Sequence, residues 1–155
     1  MSFFKSNRKW ILLWIVILVC GFLFYPVWRP GPLLRLAKQL DAAAVICEKT
    51  GSDQAVSFHS PDSNATVVLS PPYATIAGEE GGRQFPAEVA KQMQDFVDSQ
   101  ETGHLFYLKD GIVADHRLLT GLAEPLYGIG KGAQIQFLVS RETTSGRPVR
   151  IEITP

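Results

Sequence analysis

The chain is short of the residues from which most catalytic and metal sites are built. Among its 155 residues only two are cysteine, Cys20 and Cys47, and three are histidine, His59, His104 and His116. Two distant cysteines make no disulfide framework of the kind that staples small secreted domains. No H-x-x-x-H or C-x-x-C spacing occurs, so neither a metal site nor a cofactor is expected. Acidic residues are missing from the first forty positions; the first is Asp41, which leaves Lys5, Arg8, Lys9, Arg29, Arg35 and Lys38 unopposed. From Gln39 onward nine basic residues face fifteen acidic ones, a net charge of −6. Such a body lacks the clustered cations that a phosphate backbone requires, and no nucleic acid partner is expected. The length allows one folded domain and excludes a multidomain enzyme.

What is present in excess is apolar, 46% of residues, and it is concentrated. The run 10–28, WILLWIVILVCGFLFYPVW, holds no charge, amide or hydroxyl other than that of Tyr25. As a helix it reaches roughly 28 Å, close to the hydrocarbon thickness of a bilayer. Trp10 and Trp14 toward one end, and Tyr25 and Trp28 at the other, suit the headgroup level. The expected plan is a cytoplasmic tail (1–9), a transmembrane helix (10–28) and an extracytoplasmic domain (29–155) in the inner or plasma membrane. The cations Lys5, Arg8 and Lys9 before the span set its N-terminus inside. A cleaved signal peptide needs small residues before the cut, where 22–28 are mostly bulky. Ile17, Leu18, Val19 and Cys20 resemble a bacterial lipoprotein signal, but Val19 departs from the small residue found before its cysteine. Asn64, Ala65 and Thr66 form a glycosylation acceptor that has meaning only in a secretory pathway.

The outer domain reads as α+β: two helices packed on a mainly antiparallel sheet of about six or seven strands. Pro32 opens a helix whose stripe is Leu33, Leu36, Ala37, Leu40, Ala44 and Cys47, ending at Gly51. Residues 55–60, 65–70 and 73–79 read as three strands. Pro86 begins a second helix with the stripe Val89, Met93, Phe96 and Val97, continuing to Gly103. Two hairpins follow, one turning at Lys109, Asp110 and Gly111, the other at 143–146, and in the last strand Val149, Ile151 and Ile153 alternate with polar residues.

Chemistry is harder to find. Cys47 lies on the apolar helical stripe and reads as a small hydrophobe rather than a nucleophile. His59 and Ser60 with Asp62, and Asp115 with His116, have the residue types of a hydrolase triad, but strand neighbours point to opposite faces and no G-x-S-x-G elbow exists. Glu79 and Glu80 read as a solvated loop, and Gly128, Gly130, Lys131 and Gly132 lack the phosphate-loop pattern and read as a flexible turn. The connection 120–132 shows no periodicity yet carries Leu122, Leu126, Tyr127 and Ile129, which marks it as the candidate binding loop, with Leu126, Tyr127 and Lys131 as contact residues.

The function expected from these features is that of a membrane-anchored binding module, an accessory subunit of an envelope complex or an inhibitor or immunity-type protein, whose partner is another membrane or envelope protein. The alternative is a small tethered hydrolase using His116 or His59 with a nearby carboxylate. Three histidines within about 5 Å of one another in a cleft favour the enzyme; scattered histidines favour binding. The topology has its own test. A reporter fused after Pro155 is expected to be active only outside the cytoplasm, and replacing Lys5, Arg8 and Lys9 with Glu is expected to weaken or invert insertion; cytoplasmic activity with the native sequence contradicts the orientation.

Overall fold

The computed structural model describes residues 10, 13–20, 31–76, 84–141 and 149–154. The chain divides into two units, Met1–Pro30 and Gly31–Pro155. In the first, Trp10 and residues 13–20 are helical, with apolar side chains about half exposed or more, from Leu13 at 49% to Leu18 at 70%. Among the described residues no helix is long and apolar enough to cross a membrane. Much of the expected span (11, 12 and 21–28, with Tyr25 and Trp28) lies outside the described residues, as do 1–9, Glu79, Glu80 and the turn 143–146.

The second unit is α+β, in the order α1 (Leu33–Thr50), β1 (Gln54–His59), β2 (Thr66–Ser70), α2 (Ala87–Asp98), β3 (His104–Lys109), β4 (Ile112–Leu118), β5 (Glu124–Pro125), β6 (Gly128–Lys131), β7 (Gln134–Arg141) and β8 (Val149–Thr154). The strands make two four-stranded sheets rather than the single sheet expected, ordered β1-β7-β8-β5 and β4-β3-β2-β6. All pairings are antiparallel except β5 with β8.

The expected stripe of α1 is buried at every position, from Leu33 to Cys47, and Gly51 closes the helix at φ 70°, a left-handed value that favours glycine. Burial pushes the Cys47 thiol up, with Asp53 adding to the shift and Arg141 opposing it, as suits an inert core cysteine. These side chains share one core with the inner faces of both sheets: Phe58, Phe137, Val139 and Ile151 from the first, Val67, Leu69, Leu105 and Tyr107 from the second. The outer face of the second sheet carries a separate cluster, where Ala90, Met93 and Val97 of α2 sit on Val68, Phe106 and Leu108. β2 and β3 are therefore buried on both faces, which explains why VVL and LFYL are continuous apolar runs, while β8 shows alternation.

Three expected elements differ. The strand at 73–79 is absent over its described residues: Pro71 and Pro72 offer no N–H, Tyr73 takes φ 60°, and the Gln94 side chain of α2 satisfies the Ile76 N–H (2.7 Å) and the Ala74 carbonyl (3.0 Å). The second helix stops at Asp98 rather than Gly103. The connection 120–132, including the glycines read as a flexible turn, contains β5 and β6. β6 pairs its backbone with β2, and Gly128 and Gly130 let it lie directly on Ile153 and Ile135; a Cβ at Gly130 would fall 2.5 Å from Ile135 Cγ2.

The first hairpin turns at Asp110 (φ 52°) and Gly111 (φ 75°), the positive pair of a tight two-residue turn. Its register then shifts: Leu108 stands opposite Val113 but Tyr107 opposite Asp115, so Ala114 is an unpaired bulge residue. Asp115 consequently faces the inner side, where its Oδ2 accepts the Leu33 N–H at 3.0 Å and caps α1 from a strand 82 positions away. Its Oδ1 accepts the His116 N–H at 2.9 Å and lies 3.3 Å from Arg117 Nε. A Cβ at position 31 would fall on this carboxylate, so a larger residue there displaces Asp115 from its cap.

Asp115→Ala leaves a helix-terminal N–H without its acceptor and Arg117 without its ion-pair partner, and is expected to cost about 2 kcal/mol or more in urea titrations. Deleting Ala114 removes the bulge but leaves Asp115 opposite Tyr107 and His116 opposite Phe106, so cooperative unfolding is expected to persist, and Ala114→Ser should change stability by less than about 0.5 kcal/mol. A deletion variant that no longer unfolds cooperatively contradicts this assignment of the bulge.

Candidate functional site

The chemistry-bearing residues fall in two places. The first is the outer face of the second sheet. His104 lies on β3, and the bulge turns His116 of β4 to the same face, where His104 Nδ1 and His116 Nε2 share a hydrogen bond of 3.0 Å. The rings stack at 5.3 Å with 11° between planes, and both lie nearly parallel to Phe106, at 5.9 Å from His104 and 4.7 Å from His116. Phe96 of α2 covers His116 at 4.5 Å. His104 is wholly buried, and its Nε2 makes no well-formed hydrogen bond, although the Gln100 carbonyl lies close enough to favour its charged form.

Two imidazoles in an aromatic sandwich resist protonation. Burial lowers the pKa of His104, with Gln100 opposing. His116 is lowered to about 4, first by burial and then by His104, with Asp115 pulling it up and Arg117 pushing it down again. Both rings are therefore neutral at pH 7. His59 is exposed on β1 of the other sheet. The three histidines thus do not converge; two meet, and they meet in a packed interior rather than in a cleft.

The hydrolase arrangements find little support in this geometry. Asp115 points to the α1 side, away from the His116 ring, and serves as a cap. Ser60 is engaged by the Asp62 carbonyl (2.6 Å) and the Tyr107 hydroxyl (3.0 Å). Ser70 stands opposite His104 in the register, but its hydroxyl donates to the Pro71 carbonyl at 3.1 Å. Among the described residues no group of three His, Cys, Asp or Glu side chains is placed to hold a metal ion.

The second place is the corner where the chain passes from β5 to β6, which carries Leu126 and Tyr127, while Lys131 stands at the far end of β6. Leu126 is half-buried and its N–H donates to the Ile151 carbonyl at 2.8 Å, so it extends the pairing with β8. Tyr127 is 38% exposed, and partial burial raises its phenol pKa. Lys131 is exposed and, among the described residues, has no ion pair; it borders an open cleft of about 280 Å³ walled by Ile129, Ile135 and Ile153, with Gln134 and Thr154 as its other polar groups. The structure thus keeps Tyr127 and Lys131 at the surface and draws Leu126 partly into the fold.

Sequence reasoning missed the histidine pair. The two rings are twelve positions apart on a hairpin, and the only local signal is the turn at Asp110 and Gly111, which without the bulge would set His116 on the face opposite His104. Compared with protein-family models, with curated proteins and with solved structures, the chain matches none.

The pair has a measurable signature. A base whose folded pKa lies below its unfolded value of about 6.5 weakens the fold as pH falls, because the unfolded chain takes the proton first. Stability is full above about pH 6.5 and is lost progressively toward pH 4, the folded value for His116. Urea unfolding should show a loss on the order of 2 kcal/mol between pH 7 and pH 4.5, and His116→Phe should flatten this limb. An equal acid loss in His116→Phe assigns the effect to carboxylates instead.

Proposed function

We propose that this chain is a membrane-anchored extracytoplasmic binding module, an accessory subunit of an envelope complex or an inhibitor or immunity-type protein, held in the inner or plasma membrane by its first unit with the N-terminus inside. The uncharged run 10–28 behind Lys5, Arg8 and Lys9 supports the anchor, as do the exposed apolar side chains of the helical residues 13–20. The partner is another membrane or envelope protein.

The observation that carries the binding reading is the β5 to β6 corner. Tyr127 remains 38% exposed at a bend, and four residues on, Lys131, which has no ion pair among the described residues, borders a cleft lined by Ile129, Ile135 and Ile153 in a domain of net negative charge. Tyrosine at such a site concentrates binding energy, because its large rigid ring buries much area at little entropic cost. The full burial of His104 and the partial burial of His116 within aromatic packing, apart from the cleft beside Lys131, support binding over hydrolysis.

The test is site-specific crosslinking. A photoreactive amino acid replacing Tyr127 in the full chain, in its native membrane, is expected to give one discrete adduct with another membrane or envelope protein, while the same group at Thr50 gives none. Tyr127→Ala combined with Lys131→Ala is expected to weaken capture of that protein by about 2 kcal/mol or more while the melting temperature stays nearly constant. A large loss of stability with normal capture assigns the corner to the core and removes the site.

A further inference from the structure

A separate construction, independent of the binding corner, lies under α2. The helix is tied at its middle by Gln94, which bonds Ile76 and Ala74, and seats Ala90, Met93 and Val97 on the outer face of the second sheet. Its last turn ends on the histidines: Phe96 lies over His116 at 4.5 Å, and His116 reaches beneath it to His104. We propose that the hydrogen-bonded, stacked pair of His104 and His116 is an acid-operated latch, which holds the C-terminal half of α2 on the sheet while both rings are neutral and releases it when both are charged.

The chemistry of the bridge sets the switch. Between two neutral imidazoles one N–H occupies the 3.0 Å gap and the facing nitrogen supplies the lone pair. One proton from solvent can be taken on a nitrogen outside the bridge, leaving the bond intact. A second places N–H groups on both facing nitrogens, and two donors cannot share that distance. The rings must then separate, and His116, which is partly exposed where His104 is not, is the one free to leave. Its departure removes the surface on which Phe96 rests.

The surroundings oppose the charged state more than they support it. From β4, Asp115 favours a charged His116 and Arg117 disfavours it; from β3 the neighbours are Phe106 and His104 itself; the Gln100 carbonyl, just beyond α2, favours a charged His104. β2 brings Ser70, which does not titrate, and α2 presents Phe96, while its Asp95 and Asp98 are exposed and Asp98 is bonded by Gln94. No carboxylate from the helix stands ready to neutralise the pair. Release uncovers Phe106 and Leu108 together with the inner side of Phe96, an apolar surface that exists only in acid.

Amide hydrogen exchange on the full chain at pH 7 and pH 4.5, corrected for the intrinsic pH dependence of exchange, tests the latch. Opening of residues 93–98 and of β4 is expected to rise roughly 50-fold at pH 4.5, the factor that a proton affinity displaced from about 6.5 to about 4 supplies, while α1 stays protected. His116→Phe, which keeps a ring under Phe96 but takes no proton, should abolish the rise. His116→Gln gives the same comparison if the phenylalanine variant does not fold. The proposal is overturned by an absent rise, by a rise that persists in the non-titrating variant, or by α1 and α2 losing protection together.

Discussion

A single unpaired residue, Ala114, governs what the two faces of the second sheet contain. Because strand side chains alternate, leaving Ala114 out of the ladder puts every later residue of β4 on the face opposite to the one that regular pairing of the same sequence would give it. With the bulge, Asp115 turns inward to the start of α1 and His116 turns outward to His104. Without it the carboxylate would stand among phenylalanines and the imidazole would face the helix N-terminus, where a cation is unfavourable. The capped helix and the buried histidine pair are consequences of the same backbone event, although they lie on opposite sides of the sheet and touch different helices.

The two sheets are not equivalent. The first keeps one wet face, seen in the exposed Ala55, Ser57 and His59 of β1, and contributes to one core. The second is covered on both sides, by α1 and by α2, so any polar group on its central strands must find its partner within the protein. Ser70 does so with a neighbouring carbonyl, and His104 does so with another histidine. Doubly covered sheets are ordinarily filled with aliphatic side chains, and an imidazole pair in that layer makes the protonation state of two side chains part of the packing.

The elements whose residues carry their own periodicity or turn chemistry were legible in the sequence: the α1 stripe, the alternation of β8, and the Asp110 and Gly111 turn. Elements defined by what they touch were not. β6 has almost no side chains with which to announce a strand; at Gly130, Ile135 leaves no room for a Cβ, and Gly128 lies in contact with Ile153. The segment after Pro72 has strand-like composition, yet its backbone is satisfied by one glutamine of α2, a contact about twenty positions distant. The candidate binding residues were legible only as apolar side chains in an apparently structureless stretch, and that stretch proved to be a corner between sheets. The histidine pair depends on the bulge, for which the local sequence gives no sign.

The grip of Asp115 on Leu33 also has a mechanical meaning. Gly31 is the first residue of the folded unit, and two positions later the chain is bonded to β4, on the opposite end of the sequence map from α1. Tension entering through Pro30 therefore does not simply peel α1 from its first turn. It is shared at once with an edge strand that is itself laddered to β3 along its length. Because Gly31 cannot be replaced without displacing that carboxylate, the point where load enters the fold and the point where it is distributed are the same few atoms.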